Sequence, residues 1–283
     1  MIKFSKFQGF GNDYVVIEAD QLNEVADIPE FTRRFCHRTL GVGSDGIAIL
    51  EKVTDGDADF SCRIINPDGS EAGFSGNGTR CAVAYAYTQG LWSGENLRLK
   101  MNTGVKNYRL VEEISRGHYW FEAEIGKPRF ASEQIPFLSS EKLESVIDQP
   151  LVIDKQEFLV SCVNVGNPVA CVFLDNFDFD WHEVGRKMEV HEKFPARANI
   201  VFVRVLDHEN IEIRIWERGA GVTSASGTCS SGAAILSAFR GKTGRKVSVH
   251  TEGGVTEIVW REDGEMLILG RADFVFSGEW IEN

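Results

Sequence analysis

The chain has 283 residues, enough for one large domain or two of ordinary size. Its 43 % hydrophobic and 25 % charged residues are the proportions of a globular protein with a substantial core. A net charge of −12 argues against a nucleic-acid partner, which calls for basic patches, and no run approaches the ~18 consecutive apolar residues of a membrane span.

The opening segment MIKFSKFQGFGNDYVV has no continuous apolar stretch and no small-residue cleavage site, so the expected location is cytoplasmic. It reads as two strands around a Gly11-Asn12 turn. A helical stretch over Glu30–Arg38 follows, then a polar turn feeding the apolar strand GSDGIAIL (Gly43–Leu50). A strand carrying Arg63 leads to a Ser-Gly-Asn-Gly loop at Ser75–Gly78. Thr79–Gln89 is predicted helical, closed by Gly90. Arg98–Met101 and Tyr108–Val111 form a hairpin around Asn102-Thr103-Gly104, and Tyr119–Ile125 is a further strand. The stretch from Ile125 to Pro150, with Pro128 and Pro136 inside it, is the natural junction. Beyond it come a Gly166-Asn167 turn, a helix over Trp181–Lys193, the strand ARANIVFV (Ala196–Val203) and the strand Ile211–Trp216. A second serine loop at Ser226–Cys229 opens a helix to Arg240, closed by Gly241. Val247–His250 and Val255–Trp260 flank Glu252-Gly253-Gly254, and Met266–Leu269 continues the strands. Six scattered cysteines form no C-x-x-C pair, so they read as buried small hydrophobes and give no zinc or redox signature.

The second half repeats the first. Ser226 lies 151 positions after Ser75, and RIINPDGSEAGFSGNG (Arg63–Gly78) aligns without a gap on RIWERGAGVTSASGTC (Arg214–Cys229). The order of elements is the same throughout, which marks a duplicated domain rather than a short-period repeat. The expected fold class is therefore α+β: two pseudo-symmetric, sheet-rich domains, each wrapping a central helix, with an active-site cleft between them. The halves are drawn at residues 1–125 and 126–271, with the tail 272–283 packing back on the first.

Two matched half-sites suit an epimerase or racemase, which must act on both faces of one carbon. A glycine-rich turn running into a helix presents unpaired N–H groups and the positive end of the helix dipole. Such an end binds carboxylate without a side-chain cation and steadies the enolate-like charge formed when an α-proton leaves. Asn12, Asn66, Asn167 and Asn199 lie in polar turns at strand ends, where asparagine either satisfies its own backbone or meets a ligand. Glu217-Arg218 follows a strand beside the second serine loop, where an arginine can take a carboxylate.

These segments together resemble the diaminopimelate epimerase family over nearly the whole chain. MIKFSKFQGFGNDYVVIEA, CHRTLGVGSDGIAIL, NPDGSEAGFSGNGTRC, VNVGNP, FPARANIVFV, ERGAGVTSASGTC and TEGG are similar to its motifs, in order. The resemblance implies a pyridoxal-independent 1,1-proton transfer between two thiols and an amino-acid substrate. It implies no organic cofactor or metal, and it allows a homodimer, on which the residues themselves are silent. The family places cysteine immediately before Gly-Asn-Gly and before Gly-Thr; here those positions are Ser75 and Ser226. A histidine after Gly-Asn-Pro is replaced by Val169, and a glutamate after Gly-Ala-Gly by Val222. On the leading reading Asn12, Gly76, Asn77, Gly227 and Thr228 hold the reacting amino-acid centre, while Asn66, Asn167, Asn199 and Arg218 hold the distal end. Ser75, Ser226 and the candidate base Glu217 carry the proton transfers, with Glu217 also touching substrate. A serine hydroxyl is a far weaker acid than a thiol and needs an adjacent base. One-sided lyase or isomerase chemistry on another substrate, and silent amino-acid binding, stay open as alternatives.

Overall fold

The computed structural model describes residues 1–54, 56–73 and 75–281. It divides into two compact units, Met1–Glu124 with Leu269–Asn283, and Ile125–Ile268. The chain thus changes unit at Glu124/Ile125 and returns at Leu269, three residues before the tail drawn from sequence; Glu282 and Asn283 of that tail lie outside the described residues.

In the first unit, β1 (Ile2–Gly9) pairs antiparallel with β2 (Asn12–Glu18), placing Phe7 opposite Tyr14. β2 runs parallel to β3 (Ile47–Lys52), and β3 antiparallel to β4 (Phe60–Ile65), which turns back on the short β5 (Glu71–Ala72). β4 is parallel to β6 (Asn96–Met101), which pairs with β7 (Gly104–Ser115); β7 in turn pairs with β8 (His118–Gly126). Among the described residues a 3-10 turn (Ala19–Leu22) and two α-helices, α1 (Ile28–Cys36) and α2 (Gly76–Thr88), complete the unit.

The second unit repeats this order. β9 (Val146–Ile153) pairs with β10 (Gln156–Asn164), and β10 with β11 (Pro168–Phe173), antiparallel. β11 is parallel to β12 (Asn199–Val205), and β12 antiparallel to β13 (Asn210–Glu217), which folds back on β14 (Gly221–Val222). β13 is parallel to β15 (Lys246–Thr251), which pairs with β16 (Gly254–Trp260). Its helices are α3 (Trp181–Glu189) and α4 (Gly227–Phe239). The matched helices have equal lengths, 9 residues for α1 and α3 and 13 for α2 and α4. Registers match as well: Val15 lies opposite Ile47 as Ala170 lies opposite Ile200. The final strand β17 (Met266–Trp280) runs through the unit boundary and pairs along β1, with Ile2 opposite Trp280.

The helices α2 and α4 are the cores of their units. Gly78 to Ala86 and Cys229 to Ser237 are buried without a break, the mark of a helix with no solvent face. Small residues let the surrounding strands close on them. A Cβ at Gly78 would lie 2.9 Å from Ile64, and one at Gly232 would lie 2.8 Å from Val169. Both helices begin earlier than predicted, at Gly76 and Gly227, because the serines themselves are the N-caps. Helix α1 likewise starts at Ile28, where Asp27 accepts from the Glu30 N–H and Pro29 sits in the first turn. Helix α3 ends at Glu189, short of the predicted Lys193. All six cysteines are free and buried.

Candidate active site

Each unit builds one half-site around its serine N-cap. In the first, Ser75 has extended backbone (φ −138°) and its Oγ accepts from the Gly78 N–H at 3.1 Å. The same hydroxyl donates to Tyr14 Oη at 3.0 Å. The chain here is anchored from below: Thr79 Oγ1 donates to the Ser75 carbonyl (2.6 Å) and receives the Tyr108 hydroxyl (2.5 Å). The capped start leaves the Gly76 and Asn77 N–H groups beyond the helical ladder, as at any helix start.

Asn77 and Asn12 belong to one directed chain of hydrogen bonds. Arg80 donates to Asn77 Oδ1, Asn77 Nδ2 to Asn12 Oδ1 (3.1 Å), and Asn12 Nδ2 to Asp45 Oδ2 (2.7 Å). The guanidinium at its head is buried (Arg80 is 3 % exposed), and its Nε donates to the Arg271 carbonyl at 2.9 Å. Gly270 gives it room, since a Cβ there would come within 2.6 Å of Arg80 Cζ. Burial lowers the Arg80 pKa, and no carboxylate among the described residues pairs with it. At the foot, Asp45 also accepts from the Asp13 N–H (3.1 Å) and Arg38 (2.6 Å). Asp13 is gripped by Arg38 through both oxygens at 2.7 Å and by Lys6 at 2.6 Å. Burial opposes ionisation of Asp13, but these cations and Asp45 outweigh it and bring its pKa to about 2. Burial leaves Asp45 raised. The network fixes which way both asparagine amides face.

Asn66 is not brought into this group. Its amide donates to Ser70 Oγ (2.9 Å) and its backbone closes the same turn, Asn66 N–H to Ser70 O at 2.8 Å. The turn between β4 and β5 engages its Nδ2 and its backbone, a common use of an asparagine there.

In the second half-site Ser226 caps α4 (φ −150°), accepting from the Cys229 N–H at a long 3.5 Å and lying 3.4 Å from Thr228 Oγ1. Glu217 accepts from Thr223 Oγ1 at 2.8 Å, and the Ser226 hydroxyl is near enough to favour its ionised form. Burial raises the Glu217 carboxyl, and the two hydroxyls only partly offset this. A buried carboxyl with a raised pKa beside a hydroxyl is a candidate general base. Cys229 is no substitute: it is fully buried, and burial together with nearby Glu217 pushes its thiol well up. Gly227 sits close to Ile268, whose Cδ1 would be 3.2 Å from an added Cβ.

Arg218, Asn199 and Asn167 lie together in the second unit. Asn199 Oδ1 accepts the Arg218 N–H (2.9 Å), its Nδ2 donates to the Pro168 carbonyl (3.3 Å), and Arg218 reaches Asn167 Oδ1 (3.5 Å) and the Ala196 carbonyl (3.0 Å). The exposed guanidinium has no carboxylate partner among the described residues, leaving its charge available.

Sequence reasoning missed Glu189. It is 6 % exposed, and it accepts from Trp216 Nε1 (2.8 Å), the Gly219 N–H (3.0 Å) and Arg197 (3.4 Å). It thereby holds the Trp216–Gly219 segment that carries Glu217 and Arg218. The available signal was a carboxylate on the stripe of α3 that buries Trp181, Gly185 and Met188. Val169, where the family resemblance places a histidine, is fully buried against Gly232 in the second unit. Val222 is exposed on β14, opposite Trp216. Among the described residues no group of three or more His, Cys, Asp or Glu is disposed to hold a metal, and no helix is long and apolar enough to cross a membrane.

The family model for diaminopimelate epimerase matches residues 4–130 and 161–275. The chain belongs to the diaminopimelate epimerase family. The diaminopimelate epimerase of Caldanaerobacter subterraneus subsp. tengcongensis is 38 % identical over 279 residues, covering 98 % of this chain and 99 % of that one. That of Moorella thermoacetica is 37 % identical over 280 residues, covering 98 % of each. Solved structures of lower identity share the fold. A Bacillus anthracis phenazine biosynthesis protein of the PhzF family superposes with TM-score 0.69 at 16 % identity, over 99 % of each chain. A probable proline racemase from Agrobacterium radiobacter K84 does so with TM-score 0.69 at 16 % identity, over 100 % of this chain and 94 % of that one. Membership of the diaminopimelate epimerase family makes the chemistry that of a pyridoxal-independent isomerase, with hydroxyls at both positions where thiols are expected.

Proposed function

We propose that this chain epimerises diaminopimelate, or a diamino dicarboxylic acid like it, by proton transfer at the α-carbon. The observation that carries the reading is the matched pair of serine N-caps, Ser75 at the start of α2 and Ser226 at the start of α4, with the buried, raised carboxyl of Glu217 near Ser226. Epimerisation needs one group to remove the α-proton and another to deliver one to the opposite face, and each half-site supplies one of the two. Glu217 accepts the proton through Ser226, and the N–H groups at the two helix starts favour the carboxylate on which charge builds up. Asn12, Gly76, Asn77, Gly227 and Thr228 hold the reacting amino-acid centre; Arg218, with Asn167 and Asn199 behind it, takes the distal carboxylate. Asn66, whose Nδ2 bonds Ser70 Oγ in its own turn, stays with the residues that hold the distal end through its Oδ1. Within this reading the reaction belongs to lysine biosynthesis in the cytoplasm, and a homodimer is allowed.

One observation favours a second reading. The residue of the first unit aligned with Glu217 is the neutral Asn66, and among the described residues no carboxyl is hydrogen-bonded to Ser75, whose Oγ meets Tyr14 and the Gly78 N–H. A single base suits one-sided chemistry, such as elimination or a double-bond shift. Chiral chromatography after incubation with LL- and meso-diaminopimelate separates the readings. Interconversion supports epimerisation; a new product supports one-sided chemistry; unchanged substrate at saturating concentration refutes epimerisation of diaminopimelate.

A further inference from the structure

The two half-sites differ at a second matched pair of positions, and the difference runs the other way. Tyr14 in the first unit aligns with Val169 in the second, as Asn66 aligns with Glu217. Each serine therefore has a different titratable neighbour: a phenol hydrogen-bonded to Ser75, and a buried carboxyl near Ser226.

The phenol is held where it is. Tyr14 is 6 % exposed and lies in β2 opposite Phe7. Two glycines close on its ring. A Cβ at Gly46 (φ +158°) would lie 2.6 Å from Tyr14 Cε1, and one at Gly78 would lie 2.9 Å from the same atom. Gly78 also donates its N–H to Ser75 Oγ, so one residue fixes both the ring and the hydroxyl it meets. Neither glycine tolerates a side chain without displacing the tyrosine.

We infer that Tyr14 is the proton relay of the first half-site, acting through Ser75 Oγ. The inference rests on the epimerase reading above. An alkyl hydroxyl alone is too weak an acid to deliver a proton at useful speed, whereas a phenol has an ordinary pKa of ~10. Hydroxyl hydrogens rotate, so the 3.0 Å contact carries a proton either way. In one direction Ser226 takes the α-proton as its own passes to Glu217, and the C–H electron pair stays on the substrate as an enolate. Ser75 gives its proton to the opposite face and is resupplied by Tyr14. Glu217 has gained one proton and Tyr14 has lost one. In the reverse direction the tyrosinate takes the Ser75 proton as Ser75 takes the α-proton. Tyr14 thus acts through another group and positions the transfer rather than touching substrate.

The test is a double-mutant cycle of Tyr14→Phe with Ser75→Cys, read as isomer interconversion and α-proton exchange of LL- and meso-diaminopimelate in deuterated water. Tyr14→Phe in the serine enzyme should slow interconversion at least tenfold and remove the alkaline limb of its pH profile. Exchange with retention through Glu217–Ser226 should fall less than twofold. With Ser75→Cys present, the Tyr14→Phe penalty should shrink below twofold, because a thiol needs no relay. Equal slowing in both backgrounds would mean a purely structural tyrosine and would overturn the inference, as would no slowing in either. If Tyr14→Phe fails to fold, the unmutated enzyme decides: an interconversion profile without an alkaline limb overturns the relay. Absence of both exchange and interconversion in the unmutated enzyme would instead sink the epimerase reading itself.

Discussion

Replacing both serines by cysteine should trade stability for rate. Each serine Oγ caps the buried core helix of its unit, and a Ser N-cap is worth ~1 kcal/mol over a residue that cannot cap. The Ser75 bond to the Gly78 N–H is 3.1 Å, well formed; the Ser226 bond to the Cys229 N–H is 3.5 Å, at the limit. Sulfur sits on a longer bond and accepts weakly. Ser75→Cys should therefore cost ~1 kcal/mol and Ser226→Cys about half that. The serines have no hydrogen-bond partner in common, so the double variant should lose ~1.5 kcal/mol. At ~2–4 °C per kcal/mol for a chain of this size, that is a fall in Tm of roughly 3–6 °C. Urea and thermal unfolding followed by circular dichroism measure it, alongside interconversion of LL- and meso-diaminopimelate. Thiols are a few per cent ionised at neutral pH and need no helper, and a competent acid–base group contributes ~10²–10⁴ in rate, so the rate should rise ~10²-fold. Unchanged stability would refute the capping argument. Unchanged rate with intact binding would refute the placing of proton transfer at residues 75 and 226.

Glu189→Ala leaves the Trp216 Nε1 and Gly219 N–H groups without their acceptor and Arg197 without its carboxylate. It should cost ~3–5 kcal/mol by urea unfolding; a loss under ~1 kcal/mol would show that the Trp216–Gly219 segment holds itself. Arg218→Ala removes an exposed guanidinium, so stability should stay within ~0.5 kcal/mol while KM rises ~10-fold or more; an unchanged KM removes Arg218 from substrate binding. Glu217→Gln tests a pH dependence whose sign is set by burial. Because the folded pKa is raised, the carboxyl's contribution to stability is fully present below the unfolded value near ~4.3 and is lost as pH rises through the folded value. The variant should therefore be at least as stable as the parent at neutral pH and insensitive in that window, while losing interconversion. A parent that gains stability across the window would contradict the assignment.

The sequence displayed the duplication because hydrophobic period and turn residues are local signals. Gly-Asn turns, serine loops and helix starts repeat in register, and the paired strands follow them. It also pointed to Ser226, Glu217, Arg218 and Asn199, which lie on or beside the same β13–α4 segment or on the strand next to it. What it hid were partners supplied across the sheet. Asp45 meets Asn12 only because β2 and β3 run parallel, 33 positions apart. Arg80 reads as one more helical residue until Gly270 and the Arg271 carbonyl return along β17. Tyr14 reads as an apolar strand position; its hydroxyl gains meaning only when α2 brings Ser75 to it, 61 positions away. Asn66 shows the converse, since its Nδ2 and backbone are engaged within its own local turn.

The most direct measurement is proton NMR of the purified protein with LL- and with meso-diaminopimelate in deuterated water. Loss of the α-proton signal, accompanied by growth of the other isomer, is the predicted result: hydroxyls backed by Glu217 and Tyr14 then do what thiols do elsewhere in the family. Full retention of the α-proton in both isomers, with binding shown by line broadening or calorimetry, would contradict it and leave a pocket that holds the substrate without moving its proton.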